Sequence, residues 1–109
     1  MGRTERLSYA SAMKHGEYKM PGGKLIVADL TTCEGRIAAV QISGDFFLEP
    51  DTALATIDRA LVGLATDASE SEMTRRVREA LDADVAMFGI SPEAIAVAVR
   101  RALDTGAGT

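Results

Sequence analysis

The sequence predicts an α+β fold in which a small sheet precedes a set of helices. The first half of the 109 residues contains short aliphatic and β-branched segments bounded by turn residues. The second half places apolar residues three or four positions apart, which is the spacing of one face of a helix. A chain of this length forms one compact domain with a core of modest size.

The strand assignments rest on residue type and on the turn signals between strands. Met13–Lys19 is a polar first strand, and Lys24–Thr31 is the strongest strand because it is aliphatic and β-branched. Pro21 followed by two glycines indicates a turn between them. A second turn at residues 33–35 leads to a returning strand, Arg36–Ser43, in which the alternation of apolar residues breaks once. A β-bulge and burial of both faces each explain this break.

The helices are assigned from apolar stripes and from capping signals. Pro50–Leu64 has an apolar stripe at helical spacing, with its proline in the first turn. Residues 69–72 have the spacing of a capping box and begin a second helix, and Ser91-Pro92 begins a third. The linker between the last two helices contributes three residues that we expect to be buried: Val85, Met87 and Phe88. We therefore expect about three antiparallel strands packed against about three helices.

Both ends of the chain are expected to lie outside this domain. Residues 1–11 are polar and without a clear period, and they are expected to form a flexible lead-in. Residues 105–109 are small and glycine-rich and are expected to fray. A single domain then spans residues 12–104.

The composition argues against several classes of function. The net charge is −4, whereas a nucleic-acid-binding protein normally presents a Lys/Arg-rich face. No apolar run approaches the roughly 18 residues that span a bilayer, and residues 1–14 have no apolar core of a secretory signal. The single Cys33 cannot form an intramolecular disulfide, which favours a reducing, cytoplasmic compartment.

Few residues suggest chemistry by themselves. His15 is the one histidine and is best explained as an exposed strand residue. Cys33 lies in a predicted turn, where it could carry a persulfide or be a thiol without a special role. Asp45, Glu49 and Asp51 lack the spacing of a calcium loop, so solvated carboxylates at a helix start are the better explanation.

Two short segments are the strongest candidates for a binding surface. Pro21-Gly22-Gly23-Lys24 resembles a fragment of a phosphate cradle, but it lacks the Walker spacing and leads into a strand, so a tight turn is the better interpretation. Lys24 could add positive charge near phosphates or simply face solvent. Gly44-Asp45-Phe46-Phe47 places two of the five aromatic residues side by side. One ring could face the core while the other anchors a partner, or both could fill the core.

These motifs together resemble the C-terminal accessory domain of lipoate–protein ligase A. The likeness runs over residues 14–103, nearly the whole chain. It rests on four motifs in this order: Lys19-x-Pro21-Gly22-Gly23-Lys24-Leu25, Gly35-x-Ile37, Ile42-Ser43-Gly44-Asp45-Phe46-Phe47 and Met87-Phe88-Gly89-Ile90-Ser91. A leucine-rich helix and a charged helix separate the last two motifs.

The resemblance implies a stand-alone accessory subunit of a split lipoate–protein ligase. In that family a large catalytic domain binds ATP, Mg and lipoate, forms lipoyl-AMP and transfers the lipoyl group to a lysine of an acceptor domain. The chain would form a heterodimer with that catalytic subunit, support the adenylation step, meet the acceptor protein only indirectly and bind no cofactor of its own. Eight residues would face the partner or its active site: Pro21, Gly22, Gly23, Lys24, Gly44, Asp45, Phe46 and Phe47. The family's domain is also similar in fold to sulfur-acceptor and iron–sulfur scaffold proteins.

Two other functions stay open on the sequence alone. The first is a sulfur-acceptor or iron–sulfur assembly protein that uses Cys33 as its carrier. The second is a plain protein-interaction domain, for example a homodimer that binds no ligase.

Overall fold

The computed structural model describes residues 13–22 and 24–105. Its strands are β1 (Met13–Lys19), β2 (Leu25–Cys33), β3 (Arg36–Gly44), β4 (Phe47–Glu49) and β5 (Ala86–Phe88), and its helices are α1 (Ala53–Leu61), α2 (Glu70–Ala80) and α3 (Pro92–Thr105). The predicted α+β architecture is confirmed. Gly23, the predicted lead-in at residues 1–11 and residues 106–109 of the predicted tail lie outside the described residues.

The first three strands form an antiparallel sheet in chain order. Its inner face is apolar because alternate residues of β2, among them Ile26, Ala28 and Leu30, point to the same side. The register shifts at one point, where Thr31 pairs with Ala39 but Thr32 pairs with Ile37. β3 therefore has one extra residue there, which confirms a β-bulge as the cause of the broken alternation.

Two of the three helices, α1 and α3, pack on one face of this sheet, and α2 packs on both of these helices. α3 packs on β1 and β2, α2 packs on α3, and α1 packs on α2 and β3. Within the described part of the chain, the buried side chains are all apolar. The largest fully buried ones come from every layer: Ile26, Ile37, Ile42, Ile57, Leu61, Met73, Val77, Ile95 and Val99. Each contributes about 1.5–3 kcal/mol when it leaves water.

Side-chain caps begin two of the helices as predicted. The Ser69 hydroxyl accepts a hydrogen bond from the Glu72 amide at 3.1 Å, and the Ser91 hydroxyl accepts one from the Ala94 amide at 3.1 Å. The expectation that Pro50 lies in the first turn of a helix was wrong. Its carbonyl instead accepts a hydrogen bond from the Ala53 amide at 3.0 Å, so residues 50–52 form a turn before α1.

α1 also ends earlier than predicted, because the chain after it pairs with the edge of β3. The Ile37 amide donates to the Leu64 carbonyl at 2.9 Å, and the Gly63 amide donates to the Ile37 carbonyl at 2.8 Å. Gly63 has a φ of +92°, a conformation that favours glycine and turns the chain out of the helix.

β4 and β5 form a separate two-stranded antiparallel ribbon that was not predicted. Phe47 pairs with Phe88, and Leu48 pairs with Met87. Leu48 is buried, so its neighbour Phe47 points outward, and Phe88 points outward on the paired strand. The expected burial of Phe88 was therefore wrong, whereas Val85 and Met87 do pack against the core.

None of the described helices is long and apolar enough to cross a membrane.

Candidate functional site

Three segments that are distant in sequence meet at one end of the fold. The Met20 amide donates to the Lys24 carbonyl at 2.7 Å, which closes the turn between β1 and β2. The Asp45 amide donates to the Leu25 carbonyl at 3.0 Å, so the chain after β3 lies directly beside that turn. The pairing of β4 with β5 then places the segment that contains β5 at the same end of the fold. We call the resulting surface the aromatic edge, and it consists of Lys24, Asp45, Phe47, Phe88 and Gly89.

The Phe47 and Phe88 rings form the apolar part of the aromatic edge. Their centroids are 5.5 Å apart with the ring planes inclined by 39°. The two residues nevertheless stay 56% and 52% exposed. Elsewhere in the described chain, the large exposed hydrophobic residues are Met13 and Val62. Two adjacent half-exposed aromatic rings are typical of an anchor that a partner protein desolvates.

The structure separates the two neighbouring phenylalanines of the Gly44–Phe47 segment. Phe46 is half-buried and packs against the core, whereas Phe47 lies on the surface. Of the alternatives open from the sequence, the structure therefore has one ring inward and one outward. Gly44 makes this turn with a φ of +145°, and a Cβ there would lie 2.1 Å from the Leu25 carbonyl oxygen.

Lys24 makes a contact with Gly89 that the sequence did not reveal. A Cβ built on Gly89 would lie 3.0 Å from Cγ of Lys24 and 3.3 Å from its Cδ, so the lysine stem packs directly over the glycine. Gly89 has a φ of +78°, which favours glycine. The ammonium group makes no ion pair or hydrogen bond with any described residue. The sequence around Gly89 contains no local signal that this residue meets Lys24.

The other residues of the Pro21–Lys24 turn do not form an enclosed cradle. Pro21 and Gly22 are exposed, and Gly22 has a φ of +98° with open space where a Cβ would be. The prediction of a tight turn is confirmed on these residues, and Gly23 lies outside the described ones.

The acidic residues near the aromatic edge are solvated, as the sequence indicated. Asp45, Glu49 and Asp51 are exposed, and the last two line a shallow groove beside Phe47. Within residues 13–22 and 24–105, no group of three or more His, Cys, Asp or Glu side chains is placed to hold a metal ion.

His15 lies in a different place, on the sheet face that points away from the helices. Its Nδ1 is 2.5 Å from Oδ1 of Asp29, and its Nε2 is 2.8 Å from Oε2 of Glu17. The hydrogen bond to Glu17, and then that to Asp29, raises the pKa of the imidazole above its ordinary value. Both ring nitrogens face carboxylates, so the arrangement stabilises an imidazolium ion.

Cys33 is exposed at the opposite end of β2 from the aromatic edge. It precedes a tight turn in which Glu34 has a φ of +55° and Gly35 a φ of +80°. The thiol is accessible, but it is separated from Lys24 by the whole length of β2.

The fold and the site together define a small α+β domain that presents an exposed aromatic pair and an exposed lysine, Lys24, that has no ion pair with any described residue. No protein-family model matches the chain, and no curated protein matches it significantly. Among solved structures, it is similar to a chain of the Thermoplasma acidophilum structure described as a bi-partite lipoate protein ligase and its E2 lipoyl domain. The identity is 26%, the TM-score is 0.61, and the match covers 81% of this chain and 92% of the other.

The chain therefore has a fold that occurs in a lipoate protein ligase system, which agrees with the resemblance seen in the sequence motifs. Because the match covers most of both chains, they are similar in length, and the likeness extends over nearly the whole domain.

Proposed function

We propose that this chain is the accessory, non-catalytic subunit of a split lipoate–protein ligase. The observation that carries the proposal is its structural similarity, over most of both chains, to a component of a bi-partite lipoate protein ligase system. The sequence motifs support the same assignment, because they resemble the accessory domain of the single-chain ligases. The subunit forms a heterodimer with the catalytic subunit, which binds ATP and lipoate.

The reaction that the heterodimer carries out begins with activation of lipoate. A carboxylate oxygen of lipoate forms a bond to the α-phosphorus of ATP, and pyrophosphate leaves with the electron pair of the broken P–O bond. The lipoyl-AMP then acylates a lysine of the acceptor protein and releases AMP. The accessory subunit contributes by ordering the catalytic site and excluding water from it, because lipoyl-AMP is prone to hydrolysis.

The aromatic edge is the surface through which the subunit docks. Phe47 and Phe88 are half-exposed, so a partner that covers them removes apolar area from water at about 25 cal/mol per Å². Their mutual contact also restricts both rings before binding, which lowers the entropy that docking costs. Aromatic anchors of this kind supply a large share of the binding energy in many interfaces.

Lipoate-dependent formation of lipoyl-AMP by the catalytic subunit, with and without this chain, tests the proposed function. We expect pyrophosphate release only when both chains are present. If the catalytic subunit is fully active alone and does not bind this chain, the proposal is wrong.

The docking surface is tested separately by titrating variants into the catalytic subunit. We expect Phe47→Ala and Phe88→Ala each to raise Kd by about 30-fold, the loss of a typical aromatic anchor. Met13→Ala and Val62→Ala are matched controls, because each removes an exposed apolar side chain away from the aromatic edge. Loss of binding in the controls but not in the phenylalanine variants would place the interface elsewhere.

Two other functions give different results in the same assay. A chain that is itself the lipoyl acceptor would gain the mass of a lipoyl group on one of its lysines, whereas we expect its intact mass to stay unchanged. A sulfur carrier would lose its function in Cys33→Ser, whereas we expect this variant to support lipoyl-AMP formation as the native chain does. Cys33 lies at the far end of β2 from the aromatic edge, which favours the latter result.

A further inference from the structure

We propose that Lys24 contacts the phosphates of ATP on the catalytic subunit, as a cation that the accessory subunit supplies across the interface. This inference rests on the proposed function, because it requires the aromatic edge to dock beside the nucleotide. Its structural basis is the combination of a packed stem, a charge without a partner among the described residues and a position over Gly89, which directly follows Phe88.

The stem of Lys24 packs over Gly89. Its Cγ, Cδ and Cε occupy the space over Gly89, where a Cβ would lie within 3.0–3.5 Å of them. A free lysine side chain loses much rotamer freedom when its charge is fixed by a ligand. Because the Lys24 stem is already restricted by packing, less of that freedom remains to be lost on binding.

The charge of Lys24 is available to an external anion. Arg78, Arg100 and Arg101 are held by partners in their own chain, namely Glu93, the carbonyls of Thr66 and Ala68, and the Glu17 carbonyl with the Tyr18 ring. Lys24 makes no such contact with a described residue, a property that it shares with Lys14, Lys19, Arg75 and Arg76, and among these it is the one that lies on the aromatic edge.

A phosphate matches this cation better than the other anions of the reaction. The ammonium is a compact charge with three donors, and phosphate oxygens accept such donors without the planar geometry that arginine requires. Of the two anionic substrates, ATP carries several negative charges and lipoate carries one. The accessory chain has a net charge of −4, so a local cation at the contact offsets the repulsion between an acidic subunit and a nucleotide.

The test uses the reconstituted heterodimer and three substitutions. Lys24→Met keeps a stem that packs on Gly89 and removes the charge, Lys24→Arg restores the charge, and Lys14→Met removes the same charge at the other end of β1. For each variant we would measure the Kd between the subunits and, at saturating accessory subunit, the KM for ATP and for lipoate. We expect Lys24→Met to raise the KM for ATP about tenfold, with Kd and the KM for lipoate within about twofold of the native values. Lys24→Arg should recover most of the loss, and Lys14→Met should behave as the native chain.

Other outcomes overturn the inference in distinguishable ways. An increase in Kd with an unchanged KM for ATP means that Lys24 pairs with a carboxylate of the partner protein. An increase in the KM for lipoate alone means that it meets the lipoate carboxylate, and no change in any constant means that it meets no anion. In each of these cases the accessory-subunit function survives. Failure of the native chain to bind or to stimulate the catalytic subunit removes that function as well, and the inference with it.

A double-mutant cycle tests the role of Gly89 in placing the stem. Gly89→Ala puts a methyl group where the Lys24 stem lies and adds backbone strain at a φ of +78°, so we expect a higher KM for ATP in a protein that remains folded by circular dichroism. Adding Gly89→Ala to Lys24→Met should raise the KM for ATP no further, because the two residues act through one contact. Fully additive effects would show that Gly89 does not act through Lys24.

Discussion

Gly16 of β1 and Ala102 of α3 are in direct backbone contact. A Cβ on Gly16 would lie 2.3 Å from the Ala102 amide nitrogen and 2.6 Å from the Ala98 carbonyl oxygen. The helix therefore rests on the strand at a distance that no residue other than glycine permits.

Gly16→Ala is expected to destabilise the fold strongly. The methyl group would meet backbone atoms of α3, which cannot rotate away as a flexible side chain can, and overpacking of this kind costs about 1–3 kcal/mol or more. For a domain of this size each kcal/mol lowers Tm by roughly 4–8 °C. Thermal and urea unfolding measure the loss.

Gly35→Ala is the matched control for this substitution. Gly35 has a φ of +80° but open space around its Cβ position, so only backbone strain of about 1–2 kcal/mol is expected. Equal losses in both variants would contradict close packing at Gly16.

Features that depend on residues close together in the sequence were predicted, whereas features that depend on contacts between distant residues were missed. β2 and the capped starts of α2 and α3 were predictable because their signals lie within a few residues, as with Ser69 and Glu72. β5 was missed because a three-residue strand has no period of its own and exists only through its pairing with β4. Two of the five residues of the aromatic edge have the same origin, since Phe88 and Gly89 join Phe47 and Lys24 only through tertiary contacts.

His15 is expected to make stability depend weakly on pH. Its folded-state pKa is raised, so its contribution is fully present below the ordinary value of 6.5 and is lost as the pH rises through the higher folded-state pKa. The group is exposed, and the contribution should be below about 1 kcal/mol. The difference in free energy of unfolding between the native protein and His15→Gln should therefore shrink from pH 5.5 to pH 8.5.

An NMR titration of the His15 ring measures how each neighbouring carboxylate changes the pKa of the imidazole. The hydrogen bond to Glu17, and then that to Asp29, raises the pKa, so Glu17→Gln and Asp29→Asn should each lower it towards its ordinary value of 6.5. A native pKa at or below 6.5 would show that neither carboxylate holds the imidazolium in solution.

Two substitutions of Asp58 are expected to have different effects on the free energy of unfolding. Its Oδ1 accepts a hydrogen bond from the Ile42 amide at 3.1 Å, which covers an otherwise open position on the edge strand β3. Asp58→Ala removes this acceptor from a partly buried amide and should cost about 1–3 kcal/mol in urea unfolding. Asp58→Asn keeps an acceptor oxygen without the charge, so at pH 7 it should be as stable as the native protein or more stable.

The pH dependence of Asp58→Asn follows from the pKa of the native carboxyl. Burial raises that pKa above its ordinary value of 3.8, against the lowering effect of the Ile42 hydrogen bond. The protonated carboxyl of Asp58 therefore stabilises the folded native protein at low pH. This stabilisation is lost as the pH rises through the folded-state pKa. Any advantage of Asp58→Asn at pH 7 should therefore shrink as the pH falls towards 3.8, and an advantage that grows on acidification would contradict the effect of burial.

Phe46→Ala and Phe88→Ala are expected to distinguish a loss of stability from a loss of binding to the partner. Phe46 packs against the core, so its truncation should cost about 2 kcal/mol or more, whereas Phe88 is 52% exposed and its truncation should cost less than about 1 kcal/mol. Unfolding measurements on the isolated subunit give these values without the partner. If Phe88→Ala unfolds as readily as Phe46→Ala, the ribbon is part of the stable core. Weak binding by that variant would then report misfolding, whereas weak binding by a fully stable Phe88→Ala protein can only come from the surface that the ring presents.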